Sequence, residues 1–307
     1  IASVVLERSA EFREIGAGIQ LGANVFKMFE RLGLADEIAA SAWFPDKLVM
    51  MDALSGEQVV TSTLGEPYRD RFGFSYGVIH RADLHQTLLS ACRLYGNVEL
   101  LTHADVAHVT QTPSEVEVVC SDGRRVAGRV LVGADGLWSK VRQLVLGDGP
   151  PRVSGHIAYR GVLPRSAVPA HLWSPSVVLW AGPKTHLVQY PLRRGELFNL
   201  VAVFHSDQYS EGWDAAADPA ELHTKFAQAQ PAVRELLARI DIWKMWVLCD
   251  REPIANWSHG LITLLGDAAH PMLQYLAAGA GMAIEDAWVL ARCLAQTPDN
   301  PAQALLD

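Results

Sequence analysis

The stretch that most constrains this 307-residue chain lies near its end. The apolar run Leu261-Ile262-Thr263-Leu264-Leu265 leads into Gly266-Asp267-Ala268-Ala269-His270-Pro271. Gly279-Ala280-Gly281-Met282 then opens a helical pattern through Glu285-Asp286-Ala287. A short apolar run closed by glycine reads as a buried strand. The glycines after it let backbone approach a ligand closely. Asp267, at the strand end, is suited to a sugar-like hydroxyl, and the free amides of Gly281 and Met282 favour an anion or a developing negative charge. Such a strand–glycine–helix unit belongs to an α/β (mixed α+β) fold.

Two earlier strings repeat this logic. Val130-Leu131-Val132 runs into Gly133-Ala134-Asp135-Gly136, followed by Ser139, Lys140 and Arg142. Asp135 fits either a ligand contact or a cap for the next helix. Ala2 to Leu6 reads as a short buried strand ending in Glu7-Arg8. An acidic residue there accepts hydrogen bonds from a dinucleotide ribose, or simply carries the strand out to solvent. The Gly-rich turn of that unit would lie upstream of Ile1, so an N-terminal strand and, after Asp307, C-terminal helices are expected outside this sequence.

Between these strings the texture changes twice. Asn24–Leu32, Arg81–Leu94 and about 138–146 have helical spacing, and Lys47–Ala53 with Gln58–Leu64 reads as a hairpin around Ser55-Gly56. The Gly/Pro-rich loop Gly147–Pro151 is a natural boundary. From Gly155 to His205 strands dominate, then two polar helices follow around 219–228 and 232–240, a strand at 243–249, and a last helix at 279–294. The expected division is a Rossmann-like domain from residues 1–150 and 256–307, interrupted by an inserted β-sheet domain of 151–255.

Composition excludes several classes. A net charge of −8 with no Lys/Arg cluster argues against nucleic acid. The longest apolar stretch, Leu261 to Ile284, is broken by Gly266, Asp267, His270 and Pro271, so no membrane span is expected. Cys92, Cys120, Cys249 and Cys293 form neither a CxxC pair nor a zinc-type set, which fits reduced thiols in a cytoplasmic protein and no metal site.

The order Glu7-Arg8, Gly133-Ala-Asp-Gly136, Gly266-Asp-Ala-Ala-His-Pro271 resembles the class A flavoprotein monooxygenases, the aromatic hydroxylases of the para-hydroxybenzoate hydroxylase type, over nearly the entire chain. The resemblance implies an FAD-binding domain with an inserted substrate domain, NADH or NADPH as transient reductant, and O2 as co-substrate. It puts Glu7 and Arg8 at the adenosine ribose and Arg81, in His80-Arg81-Ala82-Asp83-Leu84, at the FAD linker. Asp135 would serve both FAD and the nicotinamide cofactor, and Asp267 the ribityl or pyrophosphate region. Gly279, Ala280, Gly281 and Met282 would face the isoalloxazine, and Ile19, Gln20 and Val106 would be further FAD contacts.

Within that family the chain is most similar to the 3-hydroxybenzoate 6-hydroxylases. The strings are His270-Pro-Met-Leu-Gln-Tyr-Leu-Ala-Ala-Gly279 and Gly182-Pro-Lys-Thr-His-Leu-Val-Gln-Tyr-Pro-Leu192, with Tyr159-Arg160-Gly161 and Asp250-Arg-Glu-Pro-Ile254. The resemblance implies that His186 and Gln274 flank a small aromatic acid, with Tyr190 close by. His186 suits a general base, since removing the phenolic proton enriches the ortho and para carbons. Read without the family, His186 is a hydrogen-bonded sheet histidine.

His270 reads as structural, Trp173, Trp180, Trp213, Trp243 and Trp246 as core or rim aromatics, and Arg193-Arg194 as a solvated turn or an attractor of NADH or a benzoate. A salicylate or 6-hydroxynicotinate hydroxylase is the sister reading. A non-catalytic remnant without flavin is the reading of another class, and a homodimer is among the expected states.

Overall fold

The computed structural model describes residues 1–14, 16–207 and 213–307, and gives no side-chain surroundings for 213–216. The chain forms two compact units, each assembled from separated stretches.

The first unit comprises Ile1–Arg13, Gln86–Arg152 and Cys249–Asp307. Ser3–Leu6 pairs in parallel with Val98–Leu101. Leu131–Gly133 pairs in parallel with Ile262–Leu264, whose other edge takes Ser258–His259 antiparallel. Val106–Gln111, Val116–Cys120 and Arg125–Gly128 make a separate antiparallel sheet. Ile262, Thr263 and Leu264 are all buried, as a strand covered on both faces must be, and Val116, Val141, Ala268 and Ala269 join the same core. The helix expected from about 138 begins at Lys140, because Ser139 caps it by accepting from the Arg142 amide. Gly279–Gln296 and Pro301–Ala304 complete the helices of this region.

The second unit comprises Glu14–His85 and Val153–Leu248. Its eight-stranded sheet runs, in spatial order, Trp213–Ala216, Lys244–Asp250, Arg152–Pro164, Leu197–His205, Thr185–Leu192, Val177–Gly182, Lys47–Asp52 and Gln58–Thr63. The last two are the expected hairpin, and Lys47–Asp52 extends the sheet by parallel pairing with Val177–Gly182. The expected division places residues 14–85 within the segment 1–150, whereas the compact units group them with the large sheet. Ladder hydrogen bonds to a strand more than a hundred residues later draw them into the sheet unit instead.

One face of the sheet is covered by two helices, Pro219–Lys225 and Pro231–Leu237. The sequence reading took them as polar, yet Leu222, Phe226, Val233, Leu236 and Leu237 are fully buried against Ile157, Tyr159, Leu187, Phe198, Leu200 and Phe204. Trp243 and Trp246 are buried, and Trp173 and Trp180 pack against the core; the Trp213 side chain lies outside the described residues. Because neighbours alternate sides along a strand, residues between these apolar ones fall on the opposite face. That face carries the ribbon Gly18–Leu21 and Gly77–His80 at one end, where Val78 and Tyr76 pack with Tyr190 and Leu192.

Candidate functional site

The opposite face of the sheet gathers polar side chains by register. His186 is opposite Val203 and Tyr190 opposite Asn199. On the next strand, Ala158 is opposite Val203, Arg160 opposite Val201, and His156 opposite His205. His186, Tyr190, Arg160, Asn199, His156 and His205 therefore share one face. The sequence reading found His186 and Tyr190, quoted Arg160 only within Tyr159-Arg160-Gly161, and missed Asn199, His156 and His205. Their signal is alternation within apolar strands, which becomes a site only once the strand register is known.

Burial sets the chemistry of this face. The His186 ring is pushed down to about 4, first by desolvation and then by the nearby His156, so it is neutral at neutral pH. Burial pushes the Tyr190 phenol well above its usual range, against the opposing charges of Arg160 and Arg81. Burial lowers Arg160, with Arg81 adding to the effect, and its guanidinium lies over the Trp246 ring, 5.0 Å from the centroid. Asn199 is fully buried and accepts from the Gly18 amide at 3.2 Å. A Cβ at Gly18 would collide with the Tyr190 ring, so only glycine lets this ribbon lie so close.

The cofactor residues expected in this unit lie in and beside that ribbon. Ile19 is opposite Ile79, and Gln20 accepts from the Tyr76 hydroxyl at 2.6 Å. Arg81 opens the helix Arg81–Leu94 and is ion-paired with Glu14 at 2.7 Å. Arg193 holds Asp83 through two bonds of 2.8 Å and Arg194 donates to the Ala40 carbonyl, so this exposed turn is tied to the unit.

In the other unit the two Gly-Asp strand ends behave differently. The Asp135 carboxylate accepts from Ser139 Oγ and from the amides of Lys140 at 2.7 Å and Val141 at 3.0 Å, which is the capping arrangement. Asp267 is exposed between the buried Gly266 and Ala268. Its Oδ1 is 3.8 Å from where a Cβ of Gly279 would stand, so the loop and the helix start meet. The loop is held from both sides. Gly266, with φ of 59°, donates to Asp286 at 3.1 Å, and His270 Nε2 lies 2.6 Å from the same carboxylate, its ring 4.9 Å from that of Trp257. Arg142, fully buried, donates to the carbonyls of Ala268 at 3.0 Å and Ala269 at 2.8 Å and pairs with Asp148 at 2.6 Å. Sequence reasoning named Arg142 after Gly-Ala-Asp-Gly but gave it no role.

The helix Gly279–Gln296 starts without a side-chain cap and without an acid in its first turn. The Met282 amide, expected to be free, donates to the Ala278 carbonyl at 3.0 Å, because Ala278 is the capping residue. Helix geometry leaves the amides of Gly279, Ala280 and Gly281 without intrahelical partners. An uncapped, acid-free helix start beside an exposed carboxylate fits a group with hydroxyls and an electron-accepting ring edge, as FAD has.

The remaining expected residues are simply located. Glu7 Oε1 accepts from the Ser9 amide at 2.7 Å, and Arg8 is exposed. Val106 starts its strand opposite Cys120, beside a bulge. Gln274 is half-buried in the turn Gln274–Leu276. Among the described residues no cluster could hold a metal, and no helix is long and apolar enough to cross a membrane.

A family model described as the FAD binding domain matches residues 1–307. The chain is 45% identical over 304 residues to 3-hydroxybenzoate 6-hydroxylase 1 of Aquipseudomonas alcaligenes, covering 99% of this chain and 77% of that protein. It is 43% identical to a 3-hydroxybenzoate 6-hydroxylase of Klebsiella oxytoca, covering 99% and 76%. The solved structure of Klebsiella pneumoniae HpxO complexed with FAD and uric acid is 24% identical, with a TM-score of 0.84 over 99% of this chain and 82% of that one, a likeness that concerns the fold. The fold is of the para-hydroxybenzoate hydroxylase type, and the chain belongs to the FAD-binding family of class A flavoprotein monooxygenases.

Proposed function

We propose that this monooxygenase hydroxylates 3-hydroxybenzoate at the carbon para to its hydroxyl, giving 2,5-dihydroxybenzoate (gentisate). The observation that carries the reading is His186, a neutral ring on the polar sheet face that also carries Tyr190. The relatives' names, 3-hydroxybenzoate 6-hydroxylase, support the same substrate and position. The chemistry that bound FAD supplies is transfer of one oxygen atom from O2 to the ring, with NADH or NADPH as reductant.

His186 accepts the phenolic proton, because a neutral imidazole has a free lone pair and an imidazolium has none. The resulting phenolate enriches the ortho and para carbons for electrophilic attack. Tyr190, kept protonated by burial, remains a hydrogen-bond donor to the substrate. Arg160 supplies positive charge on this face for an acid in a protein of net charge −8. Gln274 orients a substrate oxygen without changing charge.

Asp267 and the amides of Gly279, Ala280 and Gly281 hold FAD, with Met282 beside them. Glu7 and Arg8 serve its adenosine ribose, Arg81 its linker, and Ile19, Gln20 and Val106 its flanks. Asp135 acts on the cofactor through the helix start that it caps. A cytoplasmic homodimer completes the proposal; the free state of all four cysteines supports the compartment.

The test is the visible spectrum of the purified protein, followed by NADH oxidation with 3-hydroxybenzoate, salicylate and 6-hydroxynicotinate and identification of each product. Gentisate from 3-hydroxybenzoate is the expected result. Catechol from salicylate, with no turnover of 3-hydroxybenzoate, would overturn the substrate.

A further inference from the structure

We propose that His156 and His205 form a proton relay that carries the phenolic proton from His186 to solvent. The relay rests on the reading of His186 as the base that meets the substrate.

Sheet register puts the three histidines on one face of three adjacent strands. His186 is opposite Val203, so His205, two residues further along that strand, is its diagonal neighbour on the same face. Diagonal pairs are separated by about 7–8 Å, within reach of ring side chains. His156 is opposite His205, and their ring centroids are 3.8 Å apart. Exposure rises outward: His186 and His156 are half-buried, and His205 is exposed. The backbone positions between them carry Val203 and Ala158, which neither donate nor accept through their side chains.

The direction of transfer follows from the other groups on this face. Toward the opposite end lie Arg160 and Tyr190, with Arg81 and Glu14 acting on Arg160, and Tyr190 acting on Tyr76. A guanidinium is already protonated, and Tyr190 keeps its own proton, so neither accepts another. The histidine side is the route left on the sheet. The route is needed because a ring held neutral by burial gives up a proton readily. One proton leaves the phenol oxygen for one ring nitrogen of His186, and the other nitrogen passes one on through His156 and His205 to water. No electrons change hands.

The test uses the FAD-loaded enzyme mixed with 3-hydroxybenzoate in weak buffer containing a pH-indicator dye. His156→Phe and His205→Phe preserve an aromatic ring and remove the titratable nitrogens. The expected result is proton release slowed by about 100-fold in His156→Phe, the low end of general acid–base effects. A smaller slowing is expected in His205→Phe, where water is at hand. Imidazole added to the solution should restore both rates, with the flavin spectrum and substrate affinity unchanged.

Wild-type release rates in both variants, alongside loss of release in His186→Asn, would overturn the relay and leave the base standing. Wild-type release in His186→Asn would remove the base and the relay with it. If His156→Phe does not retain flavin, the exposed His205→Phe and its imidazole response decide the question. A slowed rate that imidazole does not restore also overturns the relay, since loss of packing would not respond to a soluble base.

Discussion

The two faces of the eight-stranded sheet are made by the same strands and have opposite chemistries. One carries Ile157, Leu187, Phe198, Leu200 and Phe204, fully buried under two helices. The other, displaced by a single residue along each strand, carries His156, Arg160, His186, Tyr190 and Asn199. The difference teaches that a rigid apolar face can hold titratable groups in partial burial on its reverse. A histidine that would charge near pH 6.5 in water stays neutral because burial strips it of water and His156 lies near.

The sharpest way to break this comparison is to damage each face alone. Phe204→Ala on the covered face should cost about 3–5 kcal/mol of stability, read by chemical denaturation, with turnover per folded molecule nearly unchanged. Loss of turnover at full stability would show that the faces are not divided as described.

Acid should sharpen the contrast. Below pH 6.5 the unfolded chain protonates His186 while the folded state refuses the proton until about pH 4. The folded form therefore binds fewer protons in this window, and stability falls as pH drops from 6.5 to 4, by roughly 3 kcal/mol from this group. His186→Asn should flatten that part of the stability profile. The same variant should lower the rate of hydroxylation by about 100-fold or more, with the flavin spectrum retained.

A smaller effect separates the two strand-end aspartates of the other unit. Asp135→Ala should cost about 1 kcal/mol of stability through the lost cap, measured by thermal unfolding without FAD. Asp267→Ala should weaken FAD affinity more than Asp135→Ala does, measured by flavin fluorescence. Equal behaviour of the two variants would erase the distinction.

These aspartates also mark how far the sequence is legible. Both motifs announce a strand, a glycine and a carboxylate, and the structure builds the strands at Leu131–Gly133 and Ile262–Leu264. Whether the carboxylate turns back into its own helix depends on residues such as Ser139 and on the local turn. For Asp135 the cap and the ligand contact were equally readable, and the structure shows the cap. The Met282 amide was misread for a local reason: the helix begins with Ala278 as its cap.

Non-local pairing was harder. The hairpin 47–64 is a local signal, but its attachment to Val177–Gly182 is not, and neither is the face shared by Arg160, His156 and His186. Periodicity fixes which residues of one strand share a side. It leaves the register between strands to packing. Arg142 belongs to the same class, since its partners Ala268 and Ala269 lie over a hundred residues downstream.

The strand Ile262–Leu264 sits between Leu131–Gly133 and Ser258–His259. A ribosome works from the N-terminus, so Leu131–Gly133 emerges long before the partner that will lie beside it. At ordinary rates of synthesis the wait is on the order of ten seconds. Glu14–His85 is already made by then and Val153–Leu248 is made in the meantime, so that unit can close first. The nascent chain thus holds an unpaired apolar edge throughout, and an unpaired edge invites strands from other molecules. Yield in the cell is therefore governed by how well that interval is shielded, a demand that arises from the order of the segments rather than from the chemistry they perform.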